Sequence, residues 1–136
     1  MINYLVIHCS DSPDDRQVEA ADIHAWHLER GFDGIGYHYV IKRDGSPEAC
    51  RPDYWTGAHV RSHNHHSIGI CLVGRDQYTH AQYKTLKELL YVLKFKYQDA
   101  EIVGHYQLDD KKTCPNFKVP EWLKKNMPGV DHTVRH

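Results

Sequence analysis

Three short runs of β-forming, largely apolar residues limit what this chain can fold into: Tyr4 to Ile7, Ser67 to Gly74 and Glu101 to Gly104. None shows the polar alternation of a strand with one wet face, so each suits a strand covered on both sides. Between the second and third runs, Tyr83, Leu86, Leu89, Leu90, Leu93 and Tyr97 recur at helical spacing, and Thr79 with Gln82 forms a capping box. Buried strands alternating with amphipathic helices predict an α/β domain with helices on the faces of its sheet. At 136 residues the chain can bury about two-thirds of its unfolded surface, so it needs neither a metal nor a disulfide merely to fold.

The remaining segments fill in that plan. Asp14 or Asp15 can cap a helix over about Gln17 to Arg30, stopped by Gly31. Gly34 and Gly36 suit a turn into an alternating strand, Tyr37 to Lys42, with Tyr37, Tyr39 and Ile41 on one face. Asp44-Gly45 is a hairpin signal returning the chain through Glu48 to Arg51. Residues Pro52 to His66 make a long loop bearing Tyr54 and Trp55, the pattern of a binding surface. Pro120 opens a last helix to about Lys125. The expectation is a single domain over residues 1–127, with a central mixed β-sheet flanked by about three helices, and a flexible tail over residues 128–136.

Composition excludes several classes of function. The net charge is −1, and Lys and Arg are scattered without a basic run, so no nucleic acid is expected as a partner. Mean hydropathy is −0.67 and no apolar run approaches the ~20 residues of a membrane span. The first residues lack the features of a signal peptide, so synthesis in the cytosol is expected, as a monomer. Cys9, Cys50, Cys71 and Cys114 are then expected as free thiols, with Cys9 and Cys71 in the core.

Chemistry concentrates in Gly104 to Pro115, which holds His105, Lys111, Lys112 and Cys114. His8 ends the first strand, and in open α/β sheets ligands gather at that end. If the first and last strands are both central, His8, His105 and Cys114 can converge, leaving a fourth tetrahedral position open as in catalytic zinc sites. A rival set, His59, His63, His65 and His66, crowds into eight residues but has no thiolate and no strand to fix it. His24 and His27 read as surface or packing residues of the first helix. Residue pattern alone leaves both metal sets open.

A resemblance separates them. Val6-Ile7-His8-Cys9-Ser10, Gly34 through Gly45, Gly57-Ala58-His59, Asn64 through Ile70, and Gly104-His105 through Lys112-Thr113-Cys114-Pro115 resemble, in order, the zinc N-acetylmuramoyl-L-alanine amidases. The likeness is greatest to the amidase-type lysozymes of T-odd phages, whose fold is shared with peptidoglycan recognition proteins. It implies hydrolysis of the amide between N-acetylmuramic acid and L-alanine in peptidoglycan, with one zinc on His8, His105 and Cys114. It also implies a catalytic tyrosine at Tyr37 and a catalytic lysine at Lys112. The loop before Cys114 is one residue longer than in those enzymes, so Lys111 is a neighbouring rival, while Lys112 keeps the spacing to Cys114. His59, Trp55 and Asn64 are expected along the substrate groove. The implied setting is a phage or prophage endolysin, made in the host cytoplasm and reaching the wall once the membrane is breached. Alternatives on the same fold are a peptidoglycan-binding module without catalysis and an added role as inhibitor of a phage RNA polymerase.

Overall fold

Strand β1 (Tyr4–Cys9) occupies the middle of the sheet, parallel to β4 (Ser67–Leu72) on one side and to β5 (Glu101–Gly104) on the other. Beyond β4 lie β2 (Tyr39–Ile41), also parallel, and β3 (Pro47–Ala49), antiparallel to β2, giving a mixed sheet in the order β3-β2-β4-β1-β5. The helices are α1 (Ala20–Glu29), α2 (His80–Lys96), α3 (His105–Leu108) and α4 (Val119–Asn126), with a turn of 3-10 helix at Asn64–His66. These elements come from a computed structural model that describes residues 1–130.

The apolar runs are covered on both faces. Leu5, Ile7 and Cys9 join Ile68, Ile70 and Leu72 in the main core, against Leu86, Leu90 and Leu93 of α2 and Leu123 of α4. Val6 points the other way, into a small cluster with Val60 and Val103. Next to it on that face, Val40, Cys71 and Val73 pack under Ile23 of α1. His8 follows Val6 by two residues and is in register with Cys71, so it stands where the two clusters meet.

Helix α2 is capped as its sequence predicts: Thr79 Oγ1 accepts the Gln82 N–H at 3.0 Å and Gln82 Oε1 accepts the Thr79 N–H at 2.9 Å. Gln82 is fully buried and does more than cap. Its Nε2 donates to the carbonyls of Val73 (2.8 Å) and Ile41 (3.2 Å), joining the helix start to the ends of β4 and β2.

Several details differ from expectation. Helix α1 starts at Ala20, with Glu19 and Asp22 forming its cap, because Asp14 is spent elsewhere: its carboxylate accepts the Arg75 N–H at 2.8 Å and pairs with Arg43 at 3.5 Å. Tyr37 precedes β2, is not part of it, and packs with Val40 on the α1 face, whereas Tyr39 and Ile41 belong to the main core. His24 is exposed and His27 packs on Phe32 and Tyr37, as expected of surface and packing residues, and in addition their Nδ1 atoms accept the N–H groups of Ile35 (3.1 Å) and Gly36 (2.9 Å), which hold the turn before Tyr37. The chain after β5 is a helical turn, α3, where a loop was expected. Gln107 Oε1 accepts the Gly104 N–H at 2.8 Å and closes that turn. This makes the helices four where about three were expected. Of the expected tail, Pro128 to Val130 form a turn with Val130 against the core, and residues 131–136 lie outside the described residues.

The buried amide of Gln82 gives a stability test. Gln82→Ala keeps the Thr79 cap but removes the return bond to the Thr79 N–H and two bonds to buried carbonyls, so urea denaturation is expected to show a loss of about 2 kcal/mol. Unchanged stability would mean that the Gln82 amide contributes nothing to joining α2 to the sheet.

Candidate active site

The parallel register of β1 and β5 builds the centre of the site. Ile7 is paired with Gly104, so the next residues, His8 and His105, emerge side by side at the carboxyl end of the sheet, with ring centroids 4.4 Å apart. Tyr37 flanks them, its ring 5.1 Å from that of His8. Cys114 returns toward the end of β1, where its Sγ donates to the carbonyl of Cys9 at 3.9 Å and interacts with the Cys9 thiol. Cys9 is buried as expected, yet its sulfur also accepts Asn116 Nδ2 at 3.8 Å and so belongs to the margin of the site.

Among the described residues no three His, Cys, Asp or Glu side chains are assembled into a ready metal cage. The two imidazoles are together, while Cys114 is turned to Cys9. The chemistry of these donors nevertheless suits zinc. Burial, then His59 and His105, hold His8 well below the usual imidazole range; burial and the Lys112 cation lower His105 against the pull of Asp109. Both rings are therefore neutral at pH 7. The bond from Cys9 draws the Cys114 thiol down to about 7, so a thiolate is accessible there, while Cys9 itself is pushed up. Burial, reinforced by the three cysteines Cys71, Cys114 and Cys9, pushes the Tyr37 phenol well above its ordinary value, so it remains a proton donor.

The crowded loop histidines divide. His59 is only 9% exposed and leaves the cluster to bond His8 (Nδ1 to Nε2, 2.8 Å) and Ser67 (Nε2 to Oγ, 3.1 Å). Burial lowers it to about 3. Both of its ring nitrogens are engaged in these bonds. His63, His66 and His65 form their own hydrogen-bonded chain, at 3.1 and 3.2 Å. Asn64 is a loop clamp: its Oδ1 accepts the N–H groups of His59 and Val60, both at 2.8 Å.

Trp55 is 57% exposed and borders, with Tyr54, Asn64 and Ser67, a cleft of about 580 Å³. None of His8, Tyr37, His105 or Cys114 lines that cleft; Ser67, through His59, is what joins it to them. Lys111 and Lys112 are both exposed, and Lys112 is the one whose charge is felt at His105 and Cys114. Sequence reading missed Ser67 and His38, whose roles are hydrogen bonds; a serine opening an apolar strand and a histidine between two tyrosines were the only signals.

The chain matches the family model described as N-acetylmuramoyl-L-alanine amidase over residues 1–117. It is 38% identical to the endolysin of Escherichia phage T7 across 130 residues, covering 90% of this chain and 85% of that protein. The chain belongs to the N-acetylmuramoyl-L-alanine amidase family. Solved relatives agree with this amidase in fold. N-acetylmuramoyl-L-alanine amidase LysC from Clostridium intestinale superposes with a TM-score of 0.84 at 28% identity, covering 96% of this chain and 87% of its own. Drosophila PGRP-LB superposes at 0.81 with 27% identity, covering 96% and 84%. The family is generally zinc-dependent. Among the described residues of this amidase, no helix is long and apolar enough to cross a membrane.

The three neutral rings make the metal-free protein sensitive to acid. His8, His59 and His105 all have folded values below the 6.5 of an unperturbed imidazole, so unfolding takes up protons as pH falls below 6.5. The stability they contribute is complete above that pH and is lost as pH drops toward the folded values, at up to about 1.4 kcal/mol per pH unit for each ring. Urea midpoints measured with chelator present should fall between about 6.5 and 5, below the range in which the lowered Cys114 thiol adds its own slope. A flat profile in that window would mean that the rings are not held neutral.

Proposed function

We propose that this chain is an endolysin that hydrolyses the amide between the lactyl group of N-acetylmuramic acid and the L-alanine of the peptidoglycan stem peptide. The observation that carries this is the pair of neutral imidazoles, His8 and His105, set side by side at the sheet end beside Tyr37 and within reach of the Lys112 charge. A site of that composition, on an amidase fold, is suited to acyl transfer to water. His8, His105 and Cys114 are the residues that would hold one zinc ion, with Cys114 exchanging its contact with Cys9 for the metal. Zinc there would supply Lewis-acid polarisation of the scissile carbonyl and acidification of water.

The chain's own groups divide the remaining work. Tyr37 stays protonated and can orient water or donate a hydrogen bond to the reacting amide, but it does not serve as a general base. Lys112, an exposed cation acting on both His105 and Cys114, is placed to stabilise negative charge developing on the carbonyl oxygen. Trp55 and Tyr54, with Asn64, offer aromatic and amide surface along the neighbouring cleft for glycan or peptide. The phage endolysin relatives support action on the cell wall, which this chain would reach once the membrane is breached.

The reading is tested on purified sacculi, by following release of peptides with free L-alanine amines, and by zinc analysis of the same preparations. Cys114→Ala is expected to lose both zinc and activity, whereas Cys50→Ala, whose thiol bonds the Glu48 carbonyl away from the site, keeps both. Lys112→Ala should keep zinc and lose about 10²-fold in turnover, with Lys111→Ala close to the parent. Full zinc and full activity in Cys114→Ala would overturn the ligand set, and equal losses in the two lysine variants would remove the distinction between them.

A further inference from the structure

His59 is tied to His8 by a hydrogen-bond chain whose direction the surrounding groups fix. Ser67 Oγ lies 2.7 Å from the carbonyl oxygen of His63, which can only accept, so the hydroxyl proton is committed there. Ser67 Oγ therefore meets His59 Nε2, 3.1 Å away, as an acceptor, and His59 carries its proton on Nε2. A neutral imidazole protonated on one nitrogen is an acceptor on the other. His59 Nδ1 stands 2.8 Å from His8 Nε2, so His8 is the donor and is protonated at Nε2. The lone pair of His8 is then on Nδ1. Among the described residues no buried side-chain nitrogen or oxygen lacks a hydrogen-bond partner, and His8 Nδ1 makes no hydrogen bond, so this nitrogen is open to solvent or to a ligand.

The ring of His59 sits in a slot made for it. A Cβ on Gly57 would lie 2.6 Å from the ring and one on Gly69 2.7 Å, closer than real Cβ contacts allow. Beside it, the His38 ring stands 5.7 Å away, centroid to centroid, edge-on. His38 is itself immobilised, accepting the Gly69 N–H on Nδ1 (3.0 Å) and donating from Nε2 to the Trp55 carbonyl (2.8 Å). Asn64 fixes the backbone of His59 from behind.

We propose that His59 is a positioning residue for the metal: it holds His8 in the Nε2–H form and in one orientation, with Nδ1 presented to zinc. The inference rests on the zinc reading given under Proposed function. Metal-bound histidines as a rule donate their second N–H to a carboxylate, carbonyl or water that fixes ring and tautomer. Here a second imidazole takes that part, and Ser67 fixes the imidazole in turn.

Zinc affinity, measured by competition with a chromophoric chelator on the full chain, tests this apart from turnover, with urea stability recorded in parallel. His59→Leu removes the acceptor and should weaken zinc binding by about 10- to 100-fold. His59→Asn puts a carboxamide oxygen near the Nδ1 position and should restore affinity to within about threefold of the parent, on the lower side of that range of losses. His59→Gln reaches toward Ser67 without offering His8 an acceptor and should bind zinc as weakly as His59→Leu. Gly69→Ala, which touches neither histidine chemically, should displace the ring and weaken zinc in the same direction. Parent-like affinity in a folded His59→Leu protein would overturn the proposal. Should that variant not fold, equal zinc affinity in the Asn and Gln variants at matched stability would overturn it as well. A parent protein that binds no zinc would instead refute the metal reading, and this inference with it.

Discussion

The register between β1 and β5 is the constraint on which the site depends. Because Ile7 faces Gly104 in a parallel ladder, the residues that follow stand next to one another at the carboxyl end of the sheet, and both are histidines. A slip of one residue would turn His8 into the main core and Ile7 and Cys9 out of it. The strands cannot slip cheaply, since Leu5, Val6 and Ile7 are wholly buried and each face has its own partners. The packing that stabilises the domain is thus also what sets the spacing of the reactive groups.

Burying polar rings beside such a core has a cost, and the protein meets it by pairing them. His8, His38, His27 and His59 are all at least nine-tenths buried, and each has at least one nitrogen in a hydrogen bond. Neutral imidazoles with fixed partners are tolerated where cations would not be, because desolvation penalises the charged form most. The same arrangement leaves His8 and His105 as neutral donors and Tyr37 as a protonated phenol. Stability and chemistry therefore draw on one electrostatic condition, the exclusion of positive charge from the inner site, with Lys112 kept exposed at its edge.

The histidines show where sequence reading stops. Twelve are present, and composition treats them alike. In the fold, His24 and His27 serve backbone N–H groups, His59 serves His8, and His63, His65 and His66 serve one another. Spacing placed His59 in a cluster with the last three because they are neighbours in the chain. It leaves them because Asn64 turns the loop and Gly57 and Gly69 open room for its ring over the sheet.

What the sequence determined by itself is the main strands and helices and a set of candidate reactive groups. Short continuous apolar runs of β-forming residues suit strands covered on both faces, the Thr79–Gln82 box suits a helix start, and the matching motifs mark His8, Tyr37, His105, Lys112 and Cys114 as candidates. Local propensity and residue chemistry are enough for that. Only the tertiary structure decided how those groups are used: that Tyr37 packs toward α1, that His105 opens a helical turn, that Cys114 rests on Cys9, and that His59 backs His8. Each of those depends on a hydrogen bond or a close approach between segments far apart in the chain, and no local pattern encodes which distant atom will be within 3 Å.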